Sequence, residues 1–271
     1  GMPTWLIGSA EHNLHRMKKI LLIGAGRSST TLIGYLADAS REYGWELTVA
    51  DHDEVQLAEH AGAAHHRIVL NIFDEEQLGT EIQASDIVVS LLPARFHPVV
   101  ALQCLRYGRS MLTASYESPE ISEMAVRAKA QDILFINELG VDPGIDHMSA
   151  MRVINRLKEQ GCTLKCFETF TGGLIAPGSD DNPWHYKITW NPRNVVLAGQ
   201  GGPARFIQEG RFKNIPYHRL FRRTEVIDIE GYGKFEGYAN RDSLKYIEKY
   251  NLQGVPTVYR GTLRRPGFCR A

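Results

Sequence analysis

Runs of apolar residues separated by polar helical stretches recur along the first half of the chain. The four large apolar residues Ile20–Ile23 follow two lysines and end abruptly in glycines, which predicts a strand buried on both faces and followed by a tight turn. Apolar residues then recur at helical spacing as far as Gly44, and Glu46–Asp51 has the pattern of a second strand. Strand, turn, helix and strand therefore follow one another as in a βαβ unit.

The same alternation continues as far as Leu139. The remaining strands of this half are predicted at Arg67–Phe73, Asp86–Pro93, Ser110–Ser115 and Ile133–Leu139. The helices between them are predicted at Asp74–Gln83, with Asp74 as N-cap, at about Pro98–Tyr107, and at Ser118–Gln131, with Pro119 in its first turn. We therefore expect an α/β fold with a doubly wound Rossmann-type parallel sheet over residues 18–145, preceded by an extension of residues 1–17.

The second half has a weaker pattern. A helix is predicted at Met148–Lys158, with Asp146 as its cap, and the strands are predicted at Thr163–Thr171, His185–Trp190, Val195–Ala198, Glu225–Glu230 and Val255–Tyr259. This mixture predicts an α+β substrate domain over residues 146–271. We expect the functional site in the cleft between the two halves, since ligands commonly bind at domain interfaces.

The turn after the first strand has the pattern of a dinucleotide site. Gly24 allows the chain to reverse, and Gly26 lets backbone N–H groups approach a pyrophosphate, which the helix beginning near Ser28 attracts. Ser29 replaces the third glycine of the usual motif, so the motif alone is weak. We expect the cofactor to bind at Gly24, Gly26, Arg27, Ser28 and Ser29. A glycine turn that binds no nucleotide remains the alternative.

The end of the second strand bears on the choice of cofactor. Asp51 can accept hydrogen bonds from the adenosine ribose and would repel a 2′-phosphate, and no arginine follows in His52–Glu54. The sequence thus favours NAD, with NADP as the alternative.

Composition excludes several classes of protein. The chain has 271 residues, 43% of them hydrophobic, and Lys plus Arg equal Asp plus Glu at 31 each, so no net charge favours nucleic acid or an anionic membrane. Neither a membrane-spanning run nor a secretory apolar segment is found. The four scattered cysteines suit a reducing cytoplasm, and Cys162 and Cys166 are expected to be buried thiols, because no nearby ligands complete a metal site.

Three strand tips should converge near the nicotinamide, because ligands lie beyond the carboxyl ends of such strands. Leu91, Leu92 and Pro93 follow the fourth strand, and His97 beyond them is either a substrate contact or a helix cap. After the fifth strand Tyr116 could offer its hydroxyl. After the sixth, Asp142 lies in a Pro-Gly turn, where a general acid/base carboxylate would be placed, whereas Asp146 is assigned to structure.

Several motifs in fixed order resemble those of the saccharopine dehydrogenase family, in its L-glutamate-forming branch. The resemblance extends from Lys18 almost to the last residue. Its motifs are residues 90–93 with 97–98, 113–116, 138–148, 172–177, 182–190, 236–246 and 260–264.

The resemblance implies an oxidoreductase of lysine metabolism that oxidises the secondary amine of saccharopine to release glutamate and aminoadipate semialdehyde, or catalyses the reverse. The amine must lose its proton and water must add to the imine, and one group that exchanges protons near neutral pH is sufficient for both steps. Asp142 is the first candidate for this group, and Tyr116 and His97 are the second choices. The small-molecule substrate carries three carboxylates, and by resemblance Arg241, oriented by Asp242, and Thr262 bind it. Further candidate contacts are Lys187, Asn191 and Thr171; for Lys187 a solvated strand position is an equal alternative.

The chain also departs from the family. Family members often have a tyrosine at the position of Ala94 and a cysteine at the position of Thr171. By resemblance both positions lie near the active site, so these differences leave the identity of the substrate open. Family members continue beyond the position of Ala271, which suggests a truncated chain or a surface that a partner covers. The alternatives are a dehydrogenase of another carboxylated secondary amine, such as a polyamine precursor, and a non-catalytic NAD(P)-binding protein. A homodimer is also considered.

Overall fold

The first of two compact units is built on one parallel sheet. The computed structural model describes residues 17–188 and 201–271, and the chain divides into Gly1–Ile145 and Asp146–Ala271. The strands of the first unit are β1 (Lys19–Ile23), β2 (Glu46–Asp51), β3 (His66–Val69), β4 (Ile87–Ser90), β5 (Ser110–Thr113) and β6 (Phe135–Ile136). Its helices are α1 (Thr30–Tyr43), α2 (Glu54–His60), α3 (Glu75–Ala84), α4 (His97–Tyr107) and α5 (Pro119–Ala130).

The strand order β3-β2-β1-β4-β5-β6 confirms the predicted doubly wound sheet. All neighbouring strands run parallel. The chain order reverses between β1 and β4, and Ile23 lies opposite Ser90 at their carboxyl ends. This reversal is the topological switch point at which such folds bind ligands.

Both faces of the sheet are covered, as the uninterrupted apolar run of β1 predicts. Leu21 and Ile23 belong to the hydrophobic cluster on one face, and Ile20 and Leu22 to the cluster on the other. Alternate side chains of a strand point to opposite faces, so a strand buried on both sides needs an apolar residue at every position.

Turn chemistry explains where the first unit differs from its predicted pattern. β3 ends at Val69 rather than Phe73, because Asn71 begins a turn in which its side chain accepts from the Phe73 N–H at 3.1 Å. β6 ends at Ile136 rather than Leu139, and Glu138 beyond it has a φ of 62°. The sequence pattern did not predict α2, a short helix whose N-cap is Asp53.

In its described residues, 146–188 and 201–271, the second unit combines a largely antiparallel sheet with two α-helices. Its elements are α6 (Ile145–Glu159, whose first residue belongs to the first unit), β7 (Cys166–Thr171), β8 (Ala204–Gln208), β9 (Arg211–Ile215), β10 (Glu225–Ile229), β11 (Gly233–Ala239), α7 (Lys245–Lys249) and β12 (Thr257–Arg264). The strand order is β10-β11-β12-β8-β9, and β7 pairs with β12 in parallel. One hydrophobic cluster includes Phe206 and Tyr259, and another packs Ile154 against Tyr246.

Several predictions for this half need correction. His185–Ile188 is not a strand, and Thr189, Trp190 and the predicted strand Val195–Ala198 lie outside the described residues. Cys162 and Cys166 are exposed rather than buried. No helix in residues 17–188 and 201–271 has the length and apolar character needed to cross a membrane.

The start of α6 also differs from the prediction. The helix begins at Ile145 rather than Met148, so Asp146 lies in its first turn instead of capping it. The Asp146 carboxylate accepts from the Arg260 guanidinium at 2.8 Å, and both side chains are buried. Asp146 is therefore structural, as expected, but through an ion pair with a distant strand.

Candidate active site

The glycine turn after β1 leaves backbone N–H groups exposed. Gly24 has a φ of 112°, and a Cβ there would come within 3.0 Å of the Leu91 backbone, so glycine is required. Gly26, Arg27 and Ser28 are exposed, and in the described part of the chain their N–H groups have no acceptor. Unpaired N–H groups at a helix start form a site for an anion such as a pyrophosphate.

Ser29 adapts the turn to the missing third glycine. Its side chain is buried, and its hydroxyl donates to the Gly26 carbonyl at 2.6 Å. A single helical turn of 3-10 type, Arg27–Ser29, precedes α1. Of the five residues predicted for this loop, Gly26, Arg27 and Ser28 thus face solvent, whereas Gly24 and Ser29 shape the backbone.

Asp51 is tied to the same turn, which the sequence did not predict. Its Oδ2 accepts from the Ala25 N–H at 2.7 Å. Its Oδ1 accepts from the Asp53 N–H at 3.0 Å and lies 2.9 Å from Nδ1 of His52. The carboxylate therefore helps to fix the turn, and a carboxylate has lone pairs enough for a further donor.

The tip of β4 lies beside this turn. The Leu91 N–H donates to the Ile23 carbonyl at 2.8 Å, so the chain after β4 remains paired with β1. Leu91 and Leu92 are partly buried, Pro93 is exposed, and a 3-10 turn at Ala94–Phe96 leads into α4. The three predicted cofactor residues of this tip thus adjoin the glycine turn.

His97 is the first residue of α4, and it is 1% exposed. Its Nδ1 is hydrogen-bonded to the Ser90 hydroxyl at 2.8 Å, and its Nε2 to the hydroxyls of Ser115 at 2.7 Å and Thr113 at 3.0 Å. Burial lowers the pKa of His97 to about 4. The ring is therefore neutral near pH 7, and it joins the tips of β4 and β5 through three hydroxyl groups.

Tyr116 and Asp142, which were predicted separately, form a hydrogen-bonded pair. The Tyr116 hydroxyl donates to Oδ1 of Asp142 at 3.0 Å. Tyr116 is 37% exposed and Asp142 is partly buried. A carboxylate and a phenol that share a hydrogen bond and reach solvent can bind and exchange a proton of a ligand.

The loop that carries Asp142 is closely packed. The Gly140 N–H donates to the Pro143 carbonyl at 2.8 Å, and the Ile145 N–H donates to the Gly140 carbonyl at 2.9 Å. A Cβ on Gly144, whose φ is 148°, would overlap the backbone of Gly140. The Asp-Pro-Gly sequence thus specifies one backbone path for the catalytic candidate.

In the second unit, Thr171 and Thr262 lie opposite each other. Thr262 of β12 is in register with Thr171 of β7 on one side and with Tyr238 of β11 on the other. Burial raises the pKa of Tyr238, the β11 neighbour of Thr262. Two of the predicted substrate residues thus share one end of the β7–β12 pair.

Arg241 is exposed, with a φ of 37°. Asp242 does not orient it, contrary to the prediction. The Asp242 carboxylate accepts from the Leu244 N–H at 2.9 Å and lies 3.9 Å from the Arg205 guanidinium. In the ranges that the structure describes, Arg241 makes no ion pair, so its guanidinium remains available to an anion.

Lys187 is the remaining described substrate candidate. Its ammonium donates to Asp181 at 2.8 Å, and both side chains are largely exposed. This hydrogen bond lowers the Asp181 pKa. Asn191 lies outside the described residues.

Two family profiles match almost the whole chain. Residues 20–136 match the saccharopine dehydrogenase NADP binding domain, and residues 140–271 match the saccharopine dehydrogenase C-terminal domain. The chain is 35% identical over 253 residues to the saccharopine dehydrogenase [NADP(+), L-glutamate-forming] of Pyricularia oryzae, covering 93% of this chain and 55% of the relative. It is 36% identical over 258 residues to bovine mitochondrial alpha-aminoadipic semialdehyde synthase, covering 94% of this chain and 27% of that protein.

A solved structure agrees with both units. The apo saccharopine dehydrogenase (L-Glu forming) of Saccharomyces cerevisiae matches with a TM-score of 0.86 and 33% identity, covering 93% of this chain and 56% of that one. The chain thus spans between about a quarter and just over half of the length of these relatives. The matches cover both units in order, and the chain belongs to the saccharopine dehydrogenase family.

Proposed function

We propose that this chain is an oxidoreductase that acts on the CH–NH bond of saccharopine. Saccharopine, water and NAD(P)⁺ would give glutamate, 2-aminoadipate 6-semialdehyde, NAD(P)H and a proton, or the reverse. The observation that carries this proposal is the Tyr116–Asp142 hydrogen bond of 3.0 Å in a unit that also holds the exposed glycine turn. Membership of the family supports the same substrate.

The first unit's residues fit a pyridine dinucleotide. The N–H groups of Gly26, Arg27 and Ser28, which have no acceptor among the described residues, would hold its pyrophosphate, and Leu91–Pro93 would border the nicotinamide. The nicotinamide, when bound, supplies the acceptor for the hydride of the substrate's C–H bond.

We infer that NAD is preferred over NADP. The Asp51 carboxylate lies at the carboxyl end of β2, close to the turn, and His52–Glu54 has no arginine to pair with a 2′-phosphate. The fungal relatives are named for NADP(+), so this inference rests on the residues of this chain alone.

Asp142 is the proton acceptor in this proposal. The secondary amine must lose its proton for the hydride to leave, and water must then add to the imine. Tyr116 holds the carboxylate by its hydrogen bond and offers a hydroxyl to the same nitrogen. We assign His97 to positioning the tips of β4 and β5, because its ring is buried and both of its nitrogens are hydrogen-bonded to hydroxyl groups of those tips.

The second unit supplies groups that suit an acidic substrate. Arg241 has a guanidinium without an ion pair in the described part, and such a group binds a carboxylate through two parallel hydrogen bonds. Thr171 and Thr262 present neighbouring hydroxyls. Lys187 and Asn191 stay as secondary candidates.

Turnover and binding measurements separate the proposal from its alternatives. The 271-residue chain should form NADH from NAD⁺ and saccharopine, and should act weakly on a panel of carboxylated polyamines. Turnover of a polyamine alone would support the second alternative, and NAD⁺ binding by calorimetry without any turnover would support a non-catalytic protein. The scattered cysteines suit a cytoplasmic location. A homodimer remains a prediction, which light scattering tests.

A further inference from the structure

The loop after β7 carries a hydrogen-bonded aspartate–histidine pair, Asp180 and His185. Nδ1 of His185 lies 2.8 and 2.9 Å from the two carboxylate oxygens of Asp180. The His185 side chain is 39% exposed, and in residues 17–188 and 201–271 no group hydrogen-bonds its Nε2. A carboxylate at Nδ1 fixes the ring and its tautomer, which leaves Nε2 as an acceptor for a ligand.

The backbone at His185 is in a conformation that its side chain disfavours. Its φ is 49°, in the left-handed region that glycine adopts freely. Unfavourable conformations of this kind persist where the surrounding structure fixes them, and they are concentrated at functional sites. A histidine is thus kept at a position where glycine would be more stable.

A turn around Asn182 fixes that conformation. The His185 N–H donates to the Asn182 carbonyl at 3.0 Å, and the Asn182 side chain donates to the Tyr186 carbonyl at 3.0 Å. The Trp184 N–H donates to the Asn182 side chain at 3.2 Å. These bonds hold the ring in place without a ligand.

The turn adjoins the end of β12 that bears Thr262. A Cβ on Gly267 would lie 3.5 Å from the His185 ring, so the ring lies against that backbone. The next residue, Tyr186, has its ring 5.0 Å from the Arg264 guanidinium. Arg264 lies two residues beyond Thr262 on β12, on the same face of that strand. The Asp180–His185 pair is therefore connected to the proposed substrate threonine.

The Asp180 carboxylate pairs with no Lys or Arg in the described residues, so this side of the turn suits a cationic ligand. Asp180 and Asp181 are adjacent carboxylates, and Lys187 pairs with Asp181 only. Saccharopine carries a primary ammonium group as well as the secondary amine and the carboxylates. The residues proposed above bind the secondary amine and the carboxylates and leave the primary ammonium group without an assigned partner.

We propose that His185 is a further substrate-binding residue, whose Nε2 accepts a hydrogen bond from an ammonium group of the acidic amine, and that Asp180 positions its ring. This inference rests on the proposed function. It adds a residue for the nitrogen end of the substrate to those that bind its carboxylates.

Glycine and asparagine substitutions test the inference. His185→Gly should raise the melting temperature, since glycine suits the left-handed backbone, and raise KM for saccharopine by about tenfold through loss of one hydrogen bond. Glu209→Gly is the matched control: Glu209 has a φ of 52° in the β8–β9 turn, so this variant should be more stable with KM unchanged. Asp180→Asn should also raise KM for saccharopine. Unlike His185→Gly, it should not raise the melting temperature, and it should leave KM for NAD⁺ unchanged.

An unchanged saccharopine KM in a folded His185→Gly variant would overturn the inference while leaving the proposed function intact. If His185→Gly does not fold, His185→Asn serves instead, because asparagine tolerates the left-handed region. If the wild type does not turn over saccharopine, the proposed function fails, and calorimetry with saccharopine decides the inference. Equal binding by wild type and variant, or no binding, would then overturn it.

Discussion

The hydroxyl of Tyr116 donates a hydrogen bond of 3.0 Å to Oδ1 of Asp142, although the two residues are 26 positions apart. The tips of β5 and β6 bring them together: the Glu138 N–H donates to the Ser115 carbonyl at 3.0 Å, and the Leu139 N–H to the Thr113 carbonyl at 3.1 Å. Parallel neighbouring strands thus place a phenol and a carboxylate side by side at one sheet edge.

Asp142→Asn should lower kcat/KM for saccharopine by about 10²–10⁴-fold, the usual contribution of a general base. Tyr116→Phe should lower it by less, on the order of tenfold, because it removes one hydrogen bond and leaves the carboxylate. Steady-state kinetics measure both effects. A fully active Asp142→Asn enzyme would assign proton exchange to another residue.

Asp51→Ala should weaken NAD binding and reduce the preference for NAD over NADP. Because this change also removes the acceptor for the Ala25 N–H, Asp51→Asn provides a comparison that keeps an acceptor without the charge. Asp53→Ala, which removes only the cap of α2, is the control. The ratio of kcat/KM for the two cofactors is the measurement, and an unaltered ratio in both Asp51 variants would remove the argument for NAD.

Arg241→Ala should raise KM for saccharopine by about 10²-fold while changing KM for NAD⁺ little, because a carboxylate loses a charge-assisted pair. Arg211→Ala is the control, because it removes another exposed arginine, at the start of β9. This variant should leave KM for saccharopine and KM for NAD⁺ unchanged. Initial rates over a range of substrate concentrations separate these effects. Equal KM values for wild type and Arg241→Ala would place the carboxylate site elsewhere.

His97 should make the first unit sensitive to acid. Burial lowers its pKa from 6.5 to about 4, so between these values the unfolded chain binds a proton that the folded chain does not. Stability therefore falls as the pH falls from about 6.5 towards about 4, by up to roughly 3 kcal/mol. Urea titrations across this range should show a shallower decline for His97→Asn than for wild type.

The control for this prediction is His66→Asn, which replaces an exposed histidine of the same unit. Its pH dependence should match that of the wild type. An identical acid response of His97→Asn and wild type would show that His97 is not the group responsible.

Local patterns were sufficient to predict the sheet of the first unit and its helices other than α2. The β1–turn–α1 segment, the cap Asp74 and the first-turn Pro119 depend on neighbours in the sequence, and the structure has them where they were expected. Bonds between distant residues could not be predicted. Asp51 fixes a turn that lies 26 residues earlier, and Asp146 pairs with Arg260, 114 residues away.

The second unit was harder to predict because its largely antiparallel sheet lacks the regular alternation of strand and helix that marks the first unit. The β8–β9 hairpin was missed, although its turn at Glu209 and Gly210 has positive φ angles of 52° and 73°. Two residues ending in glycine, here Glu209 and Gly210, between two segments that alternate polar and apolar residues are typical of a β-hairpin. This pattern could have identified β8 and β9. Nothing in the sequence marks His185 as a residue with a left-handed backbone.

The proposed function is tested most directly by the products that the chain forms from saccharopine. NADH absorbance and released glutamate should be measured together, with purified 271-residue wild type and its Asp142→Asn variant, at saturating NAD⁺. We expect the wild type to form NADH and glutamate in equal amounts, and the variant to form both at least about 100-fold more slowly. A folded wild type that binds NAD⁺ yet forms neither product would contradict the proposed function.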